Sequence, residues 1–154
     1  MIKKTKFNLL FFLLFFSSSL IANSINTTII KSDYKNVRSN ILDSIEEKAL
    51  NIANVYHASE MLNRTKGIFS FGRNIYKNAE IIEFCSAKIS HEMARANHLN
   101  ILLCPFKIAI YTLNSNPENT YVIYSVPDPI DENSKKSMAK VTALIRSIVE
   151  SAAW

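Results

Sequence analysis

The chain reads as an α+β domain, a two-layer sandwich with a largely antiparallel sheet backed by helices. Three observations predict this. Short β-branched segments and segments of helical period alternate in the order β-α-β-β-β-β-α, with extra short helices between. Residues 106–113 and 120–126 are apolar strands separated only by a turn, which makes them an antiparallel hairpin rather than parts of a doubly wound sheet. The last element, residues 135–152, carries one apolar stripe, so it covers a sheet on one side.

The elements follow in order. Residues 27–32, TTIIKS, are β-branched and short, and predict a first strand. In residues 37–50, Val37, Ile41, Ile45 and Ala49 recur every four positions, with Leu42 widening the stripe, which predicts a helix. Residues 52–57, IANVYH, predict a second strand. Residues 58–67, ASEMLNRTKG, predict a short helix stopped by Gly67. Residues 68–78 read as irregular, with a turn at Gly72. Residues 79–85, AEIIEFC, read as a strand, and Ser86 caps a helix over about residues 87–97. Pro105 opens the strand FKIAIYTL, residues 106–113. NSNPEN, residues 114–119, is a turn by composition, and TYVIYSV, residues 120–126, returns. PDPIDENS, residues 127–134, is a stiff connector. In the final helix Met138, Val141, Ile145, Ile148 and Ala152 keep helical spacing.

The first residues have a different logic. Lys3, Lys4 and Lys6 precede a run from Phe7 to Phe16 broken only by Asn8, and small residues follow at Ser17 to Ser19 and Ala22. This is the layout of a secretory signal peptide over residues 1–22, with cleavage after Ala22 or Ser24. The apolar run is shorter than the roughly 20 residues of a spanning helix, so no stable membrane anchor is expected after cleavage. The expected location is the periplasm, and the expected domain is a single one over residues 27–152. The leader also explains the charge. The net +5 of the 154-residue chain includes its three lysines and no acid, and removal leaves 15 basic against 13 acidic residues. The only adjacent basic pair left among mixed charges is Lys135-Lys136, which excludes a nucleic-acid footprint.

The chain has two cysteines, the minimum for one bridge in an oxidising compartment. If residues 79–85 and 106–113 are antiparallel neighbours, Cys85 ends one strand and Cys104 begins the next at the same edge, within reach of a disulfide. Side-chain alternation argues the other way. Cys104 is in step with Phe106 and Ile108, while Cys85 is out of step with Ile82 and Phe84, so the two sulfurs would point to opposite faces unless a bulge intervenes. Cys85 also precedes a helix N-terminus, with His57 or His91 as a conceivable base, which admits thiol-redox chemistry. His91 and His98 are two helical turns apart, about 10 Å, too far for one ion. Cys85 and Cys104 with one histidine could hold a soft metal or haem iron, but no CxxC, CxxCH or HxxxH is present. No metal or cofactor is therefore expected, and no catalytic set is readable.

The hairpin is apolar on both faces. Phe106, Ile108 and Ile110 form one row and Lys107, Ala109, Tyr111 and Leu113 the other. Tyr121 and Ile123, then Val122, Tyr124 and Val126, form the rows across from them. Helices can cover one face only, so the second face needs a partner. Tyr111 and Tyr124 are its expected aromatic residues. The expected occupant is an identical subunit, with a small apolar ligand or a periplasmic protein next.

Four segments, EIIEFCSA, SHEMARAN, LLCPFKIAIY and YVIYSVPDP, together resemble the DUF302 family: an apolar strand ending in Cys or Gly, a helix, a strand opened by Pro, and a strand closing on Pro. Residues 33–66 match the family's opening helix and strand more loosely. Two features depart from the pattern. Ser86-Ala87 stands where Asn-Pro is common, and Cys104 precedes Pro105 where many members place the cysteine after it. The resemblance implies a compact α/β domain with an antiparallel sheet, dimerisation, and no particular activity. The resulting expectation is a non-enzymatic exported module that binds through an open sheet face, with a thiol-redox or metal- and haem-handling protein built on Cys85 and Cys104 as the alternative.

Overall fold

A computed structural model describes residues 24–70 and 72–153. The expected leader, residues 1–22, lies outside the described residues. Five strands form one sheet in the order β1-β5-β4-β3-β2, and every neighbouring pair is antiparallel. The strands are β1 (Ser24–Ile30), β2 (Asn51–Tyr56), β3 (Tyr76–Cys85), β4 (Phe106–Leu113) and β5 (Asn116–Val126). The helices are α1 (Tyr34–Glu47), α2 (Ala58–Thr65), α3 (Ala87–Ala96) and α4 (Lys135–Ser151), with a 3-10 turn over His98–Leu103.

Every predicted strand and helix is present, and the differences in length have local causes. Helix α1 starts three residues early because Asp33 caps it, its carboxylate accepting from the Asn36 backbone N–H at 3.0 Å. At its other end Ala49 takes φ 53°, while the Ala49 and Leu50 N–H groups donate back to the Glu46 and Ile45 carbonyls. This is a Schellman closure with alanine where glycine is usual. β3 begins at Tyr76, ahead of the predicted start, because Tyr76 and Asn78 still pair with β4 across a register shift at Lys77. β5 begins at Asn116, so the hairpin turn is only Asn114-Ser115 rather than six residues.

One face of the sheet carries the core. Val37, Ile41 and Ile45 of α1, Met93 of α3, and Met138, Val141, Ile145 and Ile148 of α4 pack on Ile82, Phe84, Phe106, Ile108, Ile110 and Val122. The alternating burial of β4 follows from the pleat: Phe106, Ile108 and Ile110 point to the helices. Helix α2 packs against β3 with no residue fully buried.

The far end of the helical layer is tied by polar groups. Asn100 is fully buried, and its Nδ2 donates to the Met93 carbonyl at 2.9 Å and to Ser134 Oγ at 3.0 Å. The Asp131 carboxylate accepts from the Ser134 backbone N–H at 2.8 Å, from Ser134 Oγ at 2.6 Å and from Asn97 Nδ2 at 2.9 Å. These bonds, Ser134's first, hold the Asp131 carboxyl below its ordinary range. They join the 3-10 turn to the start of α4. Among the described residues no helix is long and apolar enough to cross a membrane.

Candidate functional site

Three groupings of side chains stand out. The first lies on the sheet face away from α1, α3 and α4. Tyr111 of β4 pairs directly with Tyr121 of β5, so both point to this face. Their rings stack with centroids 4.9 Å apart and planes 5° from parallel. Tyr76 of β3 meets Tyr111 edge-on at 5.3 Å. Partial burial, with Tyr76 and Tyr121 alongside, pushes the Tyr111 phenol above its ordinary range. Asn116 Nδ2 donates to the Tyr121 hydroxyl at 3.4 Å. Ile29 stands opposite Tyr121 and is 56% exposed, and Ile25 further along β1 is 70% exposed. Ile81, Ala109 and Ile123 fill the middle, half-buried. At the other end Lys107 pairs with Glu83 at 3.2 Å.

Tyr124 does not belong to this face. It is 8% exposed and sits in the helix-covered core with Val122. Register is the reason: Ile110 pairs with Val122 and Tyr111 with Tyr121, so Tyr124 follows the inward row. The aromatic partner of Tyr111 is therefore Tyr121. The two rows of β5 are readable in the sequence, but which one joins Tyr111 is set by a register shift: Leu113 pairs with Asn116 while Thr112 pairs with Thr120, which resets the parity of the hairpin.

The second grouping is the cysteine pair. Cys85 closes β3, and Cys104 lies between the 3-10 turn and β4. Their sulfurs are 3.0 Å apart and unbonded, and both residues are partly exposed. Strict alternation, which would send them to opposite faces, is thus corrected. It does not carry back from Phe106 to Cys104, because Cys104 lies outside β4. Ser90 Oγ of α3 lies 3.5 Å from Cys104 Sγ. The Cys85 thiol is pushed up to about 11, first by burial and then by its hydrogen bond with Cys104 and the charges of Cys104 and Glu83. Just inward of the pair, Phe84 and Phe106 meet edge to face at 5.9 Å.

The third grouping was not legible as a site. Glu80 of β3 sits on the inward row with Ile82 and Phe84, its side chain 13% exposed. Arg38 Nε of α1 donates to Glu80 Oε2 at 2.5 Å, and His57 Nδ1 lies 3.0 Å from Glu80 Oε1. The Tyr34 hydroxyl is buried near this cluster without a hydrogen-bond partner, and its phenol is driven far above its ordinary range by burial and then by the charge of Glu80. An open cleft of about 770 Å³ adjoins it, lined among others by Tyr34, Arg38, Lys77, Asn78 and Thr112. The available signal was a carboxylate at the parity of buried apolar residues, which demands a countercharge.

The remaining candidates do not converge. His57 is committed to Glu80. His91, on α3, and His98, opening the 3-10 turn, are both exposed, and no hydrogen bond joins either to the sulfurs. Among the described residues no group of three or more His, Cys, Asp or Glu side chains is arranged to hold a metal ion.

The family model described as "Domain of unknown function DUF302" matches residues 25–152. The fold is similar to that of the crystal structure of an uncharacterized conserved DUF302 protein from Bacillus stearothermophilus. That similarity has a TM-score of 0.70 at 14% identity and covers 83% of this chain and 97% of the other. No curated protein matches the chain.

Proposed function

The chain belongs to the DUF302 family, and from that footing we propose that it is an exported, non-enzymatic docking module whose uncovered sheet face receives a second copy of itself. The observation that carries this reading is the row Tyr76–Tyr111–Tyr121, continued by Ile29, on a face that α1, α3 and α4 leave open. Stacked and edge-on aromatic rings bring apolar area and little conformational freedom to lose on docking. A face open on one side of an antiparallel sheet is stable in water, but one with exposed isoleucines gains from being covered.

The chemistry of the face favours a copy of itself over an unlike partner. It carries both signs of charge at one end, Lys107 and Glu83, and an apolar aromatic row at the other. A two-fold rotation about its centre sets these features against equivalents without a clash of like charges. Five strands at about 4.8 Å spacing and roughly 25 Å of length give on the order of 600 Å² of flat sheet, close to the about 800 Å² per partner of a standard interface. Export rests on the basic head and apolar run of residues 3–16, and places the working protein in the periplasm.

Sedimentation of the mature chain and of Tyr111→Arg tests the docking reading. The expected result is a dimer for the parent and a folded monomer for the variant. A parent chain that is monomeric at every concentration overturns it, and a monomer that takes up a small aromatic compound on Tyr111 and Tyr121 replaces the second copy with a ligand. N-terminal sequencing of the periplasmic fraction tests the export reading, with a start after Ala22 or Ser24 expected.

A further inference from the structure

The strongest unassigned chemistry in the molecule is the meeting of its two thiols. Cys85 and Cys104 come from segments separated by α3 and the 3-10 turn, yet the fold sets their sulfurs 3.0 Å apart. A disulfide needs about 2.05 Å, so closing the gap takes a small side-chain adjustment and no rearrangement of the strands. The strands that carry the pair are fixed by the core: Phe84 pairs with Phe106 in the β3–β4 ladder, one position before Cys85 and two after Cys104. Both residues are partly exposed, which leaves the pair open to a disulfide reagent.

We infer that Cys85 and Cys104 are a dithiol modification site, oxidised by thiol–disulfide exchange to a single intramolecular disulfide. The reaction proceeds in two exchanges. One cysteine, as thiolate, attacks a sulfur of the oxidant's disulfide, forming a mixed disulfide and expelling one oxidant thiolate. The second cysteine loses its proton and attacks the protein sulfur of that mixed bond, expelling the other oxidant thiolate. The protein loses two electrons and two protons, and the oxidant, a small-molecule or protein disulfide, becomes two thiols.

The surroundings separate an acquired cross-link from a turnover enzyme. Catalytic thiols are held low by cations or helix dipoles. Cys85, at about 11, is held high by burial and by Cys104, and no cation is among the groups that act on it. Lys107, across the ladder from Glu83, is taken by Glu83. The pair is thus positioned to close and to stay closed. Once closed, the ring it makes contains α3 and the 3-10 turn, with Leu99, Ile101 and Leu102 exposed on the turn.

The test uses the reduced mature protein, native and unfragmented, in excess oxidised glutathione. Intact mass and peptide mapping are expected to show the loss of two hydrogen atoms and one linked pair of peptides containing Cys85 and Cys104. Cys85→Ser and Cys104→Ser are each expected to keep one mixed disulfide with glutathione, because the resolving thiol is gone. Two unreacted thiols in the parent overturn the inference. So do two separate glutathione adducts, or a bond between two chains. The parent protein decides the matter by itself if either variant fails to fold. A monomeric parent would end the docking proposal and leave this result unaffected.

Discussion

The ring of Tyr111 lies nearly parallel to that of Tyr121, 4.9 Å away across the β4–β5 ladder, while Tyr124, three residues on, is sealed beneath the helices. The same side chain type therefore does two jobs on one strand. Tyr124→Ala is expected to cost about 3–5 kcal/mol in urea unfolding, as for other large aromatic deletions in a core. Tyr121→Ala is expected to cost about 1 kcal/mol or less in the isolated subunit, its stacking share, and to weaken self-association. A larger stability loss from Tyr121 than from Tyr124 would reverse the assignment of the two faces.

Glu80 holds Arg38 and His57 together from an inward position. Glu80→Gln removes the charge but keeps the shape, and is expected to lower unfolding free energy by about 1–3 kcal/mol, since Arg38 loses its charged acceptor. Pairing Glu80→Leu with Arg38→Met is expected to recover part of that loss. Chemical denaturation of the single and double variants measures the coupling.

The depressed Asp131 carboxyl sets an acid limb to stability. Unfolded, this group takes a proton at the ordinary carboxylate value near 4, and folded it resists to lower pH. Its contribution is therefore complete above that value and fades as pH falls from it through the folded value. Asp131→Ala is expected to lower the melting temperature at neutral pH, with the gap to the parent closing in acid. A gap that is constant with pH would show that the carboxylate's charge is not what ties Asn97 to Ser134.

Ala49 closes α1 in the left-handed region at φ 53°. There a Cβ costs roughly 1–2 kcal/mol, and glycine avoids it at some expense in unfolded-chain freedom. Ala49→Gly is expected to raise stability by about 0.5–1 kcal/mol, read from the shift of the urea midpoint at unchanged slope.

Much of the layout was legible because it rests on period. The alternation of Phe106, Ile108 and Ile110 and the helical spacing of Met138, Val141, Ile145 and Ile148 each mark one buried face, and both are buried as they read. The antiparallel placement of the β3 and β4 segments, on which a meeting of the cysteines depended, was legible too. The faces of Tyr121 and Tyr124 were not, because parity between the hairpin strands is reset by a register shift between Thr112 and Leu113 that the turn's composition does not show. The sulfur contact was contested in the sequence, since alternation is a property of continuous strand and Cys104 lies outside β4. The 3-10 turn was missed because Leu99, Ile101 and Leu102 are exposed and leave no amphipathic trace. Glu80 was hidden by its own charge, which reads as solvent-facing until Arg38 is seen against it.

Among the described residues β1 has one neighbour in the sheet, and that neighbour is the last strand, with Thr27 paired to Ile123. A polypeptide emerges from its N-terminus, so β1 is made first and waits for almost everything else before it has a mate. Until then the sheet lacks an edge, and Ile25 and Ile29 travel as loose apolar residues. A chain built this way closes its sheet only when its final hairpin arrives.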